Sequence, residues 1–330
     1  MTRAPGFWFT PPDRPGLSAR LLAPLGMLYA AGTARRLRQP GLTPRVPVIC
    51  VGNLVAGGAG KTPVTLALAE RLVTRGHAVH IVSRGYGGSL AGPVRVNETL
   101  HSAAEVGDEP LLLSAFAPTW VAKDRAAGVQ AAEAAGAQVI LMDDGLQNPT
   151  VKPTLALVVV DAARGFGNGR CIPAGPLREP VQTGLARADL VISIGGTVAQ
   201  AQLAATWGPK ITPPLVTGEL QPLQTGMDWQ GQRLLAFAGI ADPERFFTTL
   251  RDLGANLVRA EALADHAPLS ETLLKRLEAE ALTAGAQLVT TEKDAARLPQ
   301  HWRMRVLTLV VRLHVKDWSV VDTALSRLGL

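Results

Sequence analysis

Cysteine is scarce in this chain, with only Cys50 and Cys171 among 330 residues. Two isolated thiols provide neither a disulfide framework nor the paired spacing of a zinc site. We therefore expect a reducing compartment and two buried, unreactive thiols. Internal repeats and low-complexity tracts are also missing.

Acidic residues are nearly absent from the first 45 positions, where Asp13 stands against seven arginines. These account for the net charge of +6, because the remainder holds 26 basic and 26 acidic residues. A local basic excess gives no indication of a general nucleic-acid surface. The 47% of apolar residues is enough for the packed core of a globular protein.

The basic segment contains a nearly continuous apolar run at residues 21–31. As a helix this run is about 16 Å long, well short of a hydrocarbon core of about 30 Å. It cannot cross a bilayer, but it can lie in one leaflet with the flanking arginines at the head groups. A helix packed on the protein's own core is the alternative. Export is disfavoured, since the run follows a long polar lead-in and is followed by arginines.

Residues 51–63 read VGNLVAGGAGKTP and lie between an apolar run and an amphipathic one. A strand, a glycine loop and a helix start in this order form a phosphate-binding loop, because glycines allow main-chain N–H groups to approach phosphate oxygens. The expected nucleotide-binding residues are Gly57, Gly58, Ala59, Gly60, Lys61, Thr62 and Pro63. Lys61 would reach the β- and γ-phosphates, and the Thr62 hydroxyl would bind Mg²⁺. The sequence departs from the consensus in one place, where Val55 replaces a glycine.

A second apolar stretch, residues 138–142, ends in the paired carboxylates of Asp143 and Asp144. In a parallel sheet this end lies beside the phosphate-binding loop, so either carboxylate can hold Mg²⁺ directly or through water. An ordinary Asp-Asp-Gly turn is the alternative. The glycine loop upstream favours the metal role.

Alternating strand and helix patterns predict an α/β fold with a parallel sheet of the P-loop NTPase type. We expect four segments: a basic-apolar membrane-associating segment (1–45), a kinase domain (46–210), a Pro- and Gly-rich linker (211–232) and a smaller α/β domain (233–330). The last strand and helix of that domain are expected at 306–311 and 318–328. A cleft between the two domains is the expected ligand site.

Several loops carry further candidate residues. Arg178, in PAGPLREP, is the best candidate for a charge clamp on a transferring phosphoryl group. Thr-Glu-Lys-Asp at 291–294 is similar to the base-reading loop of some P-loop proteins, or it caps the following helix.

Taken in order, these segments resemble the tetraacyldisaccharide 4′-kinases of lipid A biosynthesis. The resemblance covers almost the whole chain and includes GNLVAGGAGKTP, SRGYG, VGDEP, DDGLQ, RGFGNGR, PAGPLREP, Asp265-His266 and TTEKDAARL. It implies ATP and Mg²⁺ as cofactors, a lipid disaccharide as substrate, and a location on the cytosolic face of the inner membrane. It implies no nucleic acid and no obligate protein partner.

Carried over by position, the resemblance makes Asp108 the group that activates the sugar hydroxyl, in partnership with His266. It makes Lys61 and Thr62 the phosphate and Mg²⁺ residues, and Asp143 and Asp144 the second metal-binding element. It also places Arg178 and Glu179 near the phosphates and the metal. A secondary sugar hydroxyl has a very high pKa and needs such a base within hydrogen-bond reach.

Three other classes of protein remain alternatives. A partitioning or metal-chaperone ATPase usually has a lysine just before the paired glycines, where this chain has Ala56. A GTPase is suggested by Thr-Glu-Lys-Asp, and a comparison of ATP and GTP binding distinguishes it. A soluble small-molecule kinase would have its basic N-terminal segment packed on the protein.

Overall fold

The computed structural model describes residues 4–265 and 267–330. The strands are β1 Val48–Gly52, β2 Val79–Ser83, β3 Val94–Arg95, β4 Thr119–Val121, β5 Val139–Asp143, β6 Leu155–Asp161, β7 Leu190–Ile194, β8 Leu215–Pro222, β9 Arg233–Ala238, β10 Asn256–Ala262, β11 Gln287–Thr291, β12 Val306–Leu309 and β13 Val311–Val315.

The α-helices are α1 Leu17–Leu21, α2 Ala23–Leu37, α3 Lys61–Thr74, α4 Ala103–Val106, α5 Asp108–Ser114, α6 Arg125–Ala134, α7 Val181–Leu185, α8 Thr197–Trp207, α9 Pro243–Asp252, α10 Glu271–Thr283, α11 Glu292–Arg297, α12 Gln300–Arg303 and α13 Ser319–Ser326. Short 3₁₀ turns occur at Gly6–Phe9 and Gly208–Lys210.

The larger sheet has nine strands in the order β13-β8-β7-β6-β1-β5-β2-β4-β3. Its seven central strands are parallel, and only the edge strands β13 and β3 run antiparallel. The strands β1, β5 and β7 bury both faces, so their sequences are mostly continuous apolar runs rather than alternating ones. In β1, for example, Ile49 and Val51 pack with α3, while Val48 and Cys50 pack with the opposite layer. The predicted α/β class is confirmed.

A second, four-stranded parallel sheet has the order β10-β9-β11-β12. Apolar side chains of α9 cover one face of it, and those of α10 cover the other. Both sheets are therefore three-layered α/β units.

The predicted linker at 211–232 is wrong for residues 215–222, which form β8 of the larger sheet. This strand lies near a sheet edge, and its burial alternates along Leu215, Val216, Thr217 and Gly218. A strand that is buried on one side and contains Gly, Gln and Pro has few apolar residues in sequence. The composition of β8 is therefore like that of a connecting segment.

The predicted strand at 306–311 is in fact parts of two strands, since β12 ends at Leu309 and β13 begins at Val311. β12 belongs to the smaller sheet and β13 to the larger one. Helix α13 follows β13 and packs Val321 and Leu325 into the larger core. The chain therefore returns to the first unit, and residues 311–330 do not close the second unit as predicted.

Candidate active site

The glycine loop joins β1 to α3, as its sequence predicts. Gly57 and Gly60 have φ angles of +109° and +84°, which residues other than glycine rarely adopt. A Cβ at Gly60 would also lie 2.5 Å from the Ile194 side chain. The Asn53 side chain steadies the turn by donating a hydrogen bond to the Gly57 carbonyl (3.2 Å). The predicted residues 57–63 thus occupy the loop and the first turn of α3, with Lys61 as the first helical residue.

Val55, the departure from the consensus, lies in extended backbone. It forms an antiparallel bridge with Leu177, and the flanking main chain adds hydrogen bonds from Ala56 N to Pro176 O (2.7 Å) and from Arg178 N to Leu54 O (2.8 Å). Extended backbone needs no glycine, so valine is compatible with the loop. The same pairing fixes the backbone of Arg178 beside the loop.

Asp144, at the carboxyl end of β5, forms ion pairs with the side chains of Lys61 and Arg178. Its Oδ1 lies 3.6 Å from Lys61 Nζ, and Arg178 Nη1 donates to Oδ1 and Oδ2 at 2.9 and 3.1 Å. Burial opposes ionisation, but Lys61 and Arg178 outweigh it and lower the pKa of Asp144. Asp144 itself has a φ of +52°, so the chain turns sharply here. Lys61, Asp144 and Arg178 therefore form a charged cluster in front of the glycine loop.

Asp143 lies beneath this cluster, 2% exposed, with its backbone level with Val51 of β1. Its Oδ2 accepts a long hydrogen bond from Ser83 (3.4 Å), and its carbonyl accepts one from Arg125 (3.1 Å). Burial is the largest effect on its pKa, and with the charge of Glu109 it raises that pKa well above the usual range. Its Oδ1 is buried and has no hydrogen-bond partner within the described residues. Such an oxygen is suited to a cation or to water held by one.

Glu179 is held by hydrogen bonds from neighbouring side chains. Arg187 donates to its two oxygens at 2.6 and 2.7 Å, and Gln147 Nε2 donates at 2.9 Å. Gln147 Oε1 in turn accepts from Arg178 (3.2 Å). Residues 4–265 and 267–330 contain no group of three or more His, Cys, Asp or Glu side chains that could hold a metal. The predicted metal role of Glu179 stays a prediction.

Asp108 lies at the start of α5 and is 4% exposed. The turn before it requires Gly107, whose φ is +89° and whose Cβ would lie 2.6 Å from the Tyr86 carbonyl. Asp108 Oδ2 and Glu109 Oε1 lie 3.6 and 3.3 Å from the Nζ atom of Lys293, which belongs to the second unit. The predicted partner, His266, lies outside the described residues, so the Asp108–His266 pair stays a prediction.

The Thr-Glu-Lys-Asp segment caps a helix. Thr291 Oγ1 accepts from Asp294 N at 3.1 Å, which satisfies an N–H group at the start of α11. Asp294 is fully buried and accepts from Gly239 N, Thr291 Oγ1 and Arg297. Lys293 is engaged by Asp108 and Glu109, and Glu292 by Arg312. All three charged residues of this segment therefore make internal contacts, which fits the capping alternative.

Four residues of the site had no role in the sequence-based interpretation: Gln147, Arg187, Arg125 and Lys293. Gln147 stood in the quoted DDGLQ segment and Lys293 in TTEKDAARL. Arg125 is the first residue of α6, and Arg187 lies in the turn after α7. No local sequence pattern indicated Arg125 or Arg187, because their contacts with the site join positions that are distant in the chain.

The N-terminal helices expose an apolar surface. Small residues of α1 and α2 are buried, and a Cβ on Gly26 would lie 2.8 Å from the Cys171 carbonyl. The large side chains face outward instead, with Leu21 and Leu28 exposed by 80% and 69%. We call the exposed set Leu17, Leu21, Leu25, Met27 and Leu28 the apolar face. No helix of the described residues has the length and apolarity to cross a bilayer.

Comparison with known proteins gives consistent results over nearly the full length. The chain is 61% identical over 328 residues to a tetraacyldisaccharide 4′-kinase of Dinoroseobacter shibae, covering 99% of this chain and 97% of that protein. It is 58% identical over 326 residues to a protein of the same name from Jannaschia sp., covering 98% of each.

A solved structure is similar as well. It is the apo form of LpxK from Aquifex aeolicus in complex with ATP, with a TM-score of 0.74, 23% identity, and coverage of 94% of this chain and 99% of that one. That likeness establishes the fold. The model of the tetraacyldisaccharide-1-P 4′-kinase family matches residues 18–328, so the chain belongs to that family.

Proposed function

We propose that this chain transfers the γ-phosphate of ATP to the 4′-hydroxyl of a tetraacylated glucosamine disaccharide lipid, a step of lipid A biosynthesis. The carrying observation is the cluster of Lys61, Asp144 and Arg178 in front of the glycine loop. Lys61 and Arg178 are placed to neutralise the phosphates, and in phosphoryl transfer most of the catalysis is positioning and neutralisation of charge.

The residues present fit a Mg²⁺ ion bound mainly through the nucleotide. Asp143 offers a buried oxygen without a hydrogen bond within the described residues, and Thr62 is in the first turn of α3. Magnesium in nucleotide sites usually takes one or two carboxylates and completes its coordination with phosphates and water. We assign the ion to Thr62, Asp143 and Asp144. When bound, it would neutralise charge on the phosphates.

Asp108 is the proposed base. As the sugar oxygen attacks the γ-phosphorus, its proton passes to Asp108, and the bond from the γ-phosphorus to the bridging oxygen breaks with its electrons leaving on ADP. Burial of Asp108 against the second unit keeps bulk water away from the reacting atoms. His266 is the proposed partner that supports Asp108.

The apolar face of α1 and α2 suits an acceptor that resides in a membrane. Arg20 is exposed between Leu17 and Leu21, and Arg35 and Arg36 are exposed near the end of α2. A helix of this kind lies in the interface with its leucines among acyl chains and its arginines at anionic head groups. We therefore propose peripheral attachment to the cytosolic face of the inner membrane, where both ATP and the lipid are accessible.

The testing experiment is incubation of the purified chain with γ-labelled ATP and the lipid disaccharide in mixed micelles. Transfer of label to the lipid, with GTP a poor substitute for ATP, is the expected result. Hydrolysis of nucleotide without lipid labelling would overturn the proposal and favour the ATPase alternative. Preference for GTP would favour a GTPase.

A further inference from the structure

Lys293 is a charged residue that reaches from the second α/β unit to the larger one. Its Nζ atom lies 3.6 Å from Asp108 Oδ2 and 3.3 Å from Glu109 Oε1. Its side chain is 22% exposed and that of Asp108 4%. Charged side chains with so little exposure to water are costly unless opposite charges lie beside them. Here the Lys293 ammonium has two carboxylates of α5 as its partners.

The position of Lys293 is set by its neighbours on α11. Glu292 accepts from Arg312 of β13 at 2.7 and 3.0 Å, and the Arg312 guanidinium also lies 5.1 Å from the ring centre of Phe116, just after α5. Thr291 caps the start of the same helix by accepting a hydrogen bond from Asp294 N. Glu292 thus links the start of α11 to the larger unit directly beside Lys293, and this contact limits the freedom of Lys293 to leave Asp108.

We propose that Lys293 is a positioning residue that orients Asp108 as an ionised base, and that docking of the second unit thereby completes the active site. An ammonium at this distance favours the charged form of a carboxylate and restricts its rotation. Lys293 does not take the proton itself, because the nearby charges of Glu109, Asp108 and Asp265 raise the pKa of its ammonium despite burial. This inference rests on the proposed function, in which Asp108 is the base.

The experiment is a double-mutant cycle on Asp108→Asn and Lys293→Met in the lipid-labelling assay. If Lys293 acts through Asp108, Lys293→Met lowers kcat by about 10-fold or more, while the KM for ATP changes by less than about 3-fold. In the Asp108→Asn background the same substitution has little further effect, because the group it positions is gone. Lys293→Arg, which keeps the charge, recovers most of the turnover.

Two further variants separate positioning from simple attachment of the units. Glu292→Gln weakens the link to Arg312 but leaves the Lys293 charge, so its kcat should exceed that of Lys293→Met. Lys275→Met removes an exposed lysine paired with Glu271 at 3.5 Å on α10 and should behave as the wild type. Thermal unfolding of each variant checks the fold.

Multiplicative losses in the double variant, or an equal loss in Glu292→Gln, would overturn the role of Lys293 while the proposed function stands. An absence of lipid labelling by the wild type, or full turnover of Asp108→Asn, would overturn the proposed chemistry and the inference with it.

Discussion

Lys61 Nζ lies 3.6 Å from Asp144 Oδ1, which joins the first residue of α3 to the turn after β5. These residues are 83 positions apart in the chain, yet β1 and β5 are adjacent parallel strands, so their carboxyl ends meet. The ion pair holds the lysine over the glycine loop. A triphosphate entering the loop would offer Lys61 a more highly charged partner.

Replacing Lys61 with Met should strongly reduce the transfer of phosphate to the lipid. The neutral side chain leaves the β- and γ-phosphates without their lysine, and we expect lipid labelling to fall by about 10²-fold or more. The exposed Lys152→Met serves as control and should retain full activity. Unchanged labelling by Lys61→Met would show that the loop does not hold the reacting triphosphate.

Asp108→Asn should separate binding from chemistry. The amide keeps the size of the side chain but cannot accept the hydroxyl proton, so kcat should fall by about 10²-fold or more while ATP affinity stays near the wild-type value. Steady-state kinetics and direct ATP binding measure the two effects. Weak ATP binding with nearly normal turnover would instead make Asp108 a structural residue.

The apolar face should control membrane attachment. Leu21→Glu combined with Leu28→Glu places two carboxylates where acyl chains are expected, and flotation with anionic vesicles should drop sharply. Activity on a water-soluble acceptor analogue should change little, because both side chains are exposed to solvent and do not pack in the core. The matched control is Leu282→Glu, a leucine on α10 that is 73% exposed. Equal loss of flotation in the control would mean that attachment is unspecific.

Asp322 should make the attachment of α13 dependent on pH. It accepts hydrogen bonds from Arg71 and Arg75 of the segment around the end of α3, and the Arg71 hydrogen bond lowers the pKa of Asp322. A lowered pKa in the folded state stabilises the protein fully above the unfolded-state pKa of about 4, and this gain is lost as the pH falls through the folded-state pKa.

Asp322→Asn should therefore lower the free energy of unfolding by about 1 kcal/mol at pH 7. The gap to the wild type should narrow as the pH drops below about 4 in urea titrations. The exposed Asp252→Asn, on α9, is the comparison and should show a smaller gap. A gap that stays constant down to pH 2 would contradict the electrostatic explanation.

Features set by neighbouring residues were predictable from the sequence. The glycine loop requires positive φ at Gly57 and Gly60, the buried parallel strands require continuous apolar residues, and the Thr291 cap requires a hydroxyl before a helix. Asp143 and Asp144 followed from the rule that parallel strands end at one edge. The loop, the apolar strands and the cap depend on geometry within a few residues, and the two aspartates depend on a general rule of parallel sheets.

The tertiary structure decided the contacts between distant positions. It placed β8 and β13 in the larger sheet, paired Glu179 with Arg187, and brought Lys293 to Asp108 across 185 positions of chain. Such contacts depend on how whole elements pack, and packing is determined by the summed burial of many side chains rather than by any local pattern. The sequence therefore determined the chemistry available at the loop, and the docking of the two units determined which charges surround the acid at position 108.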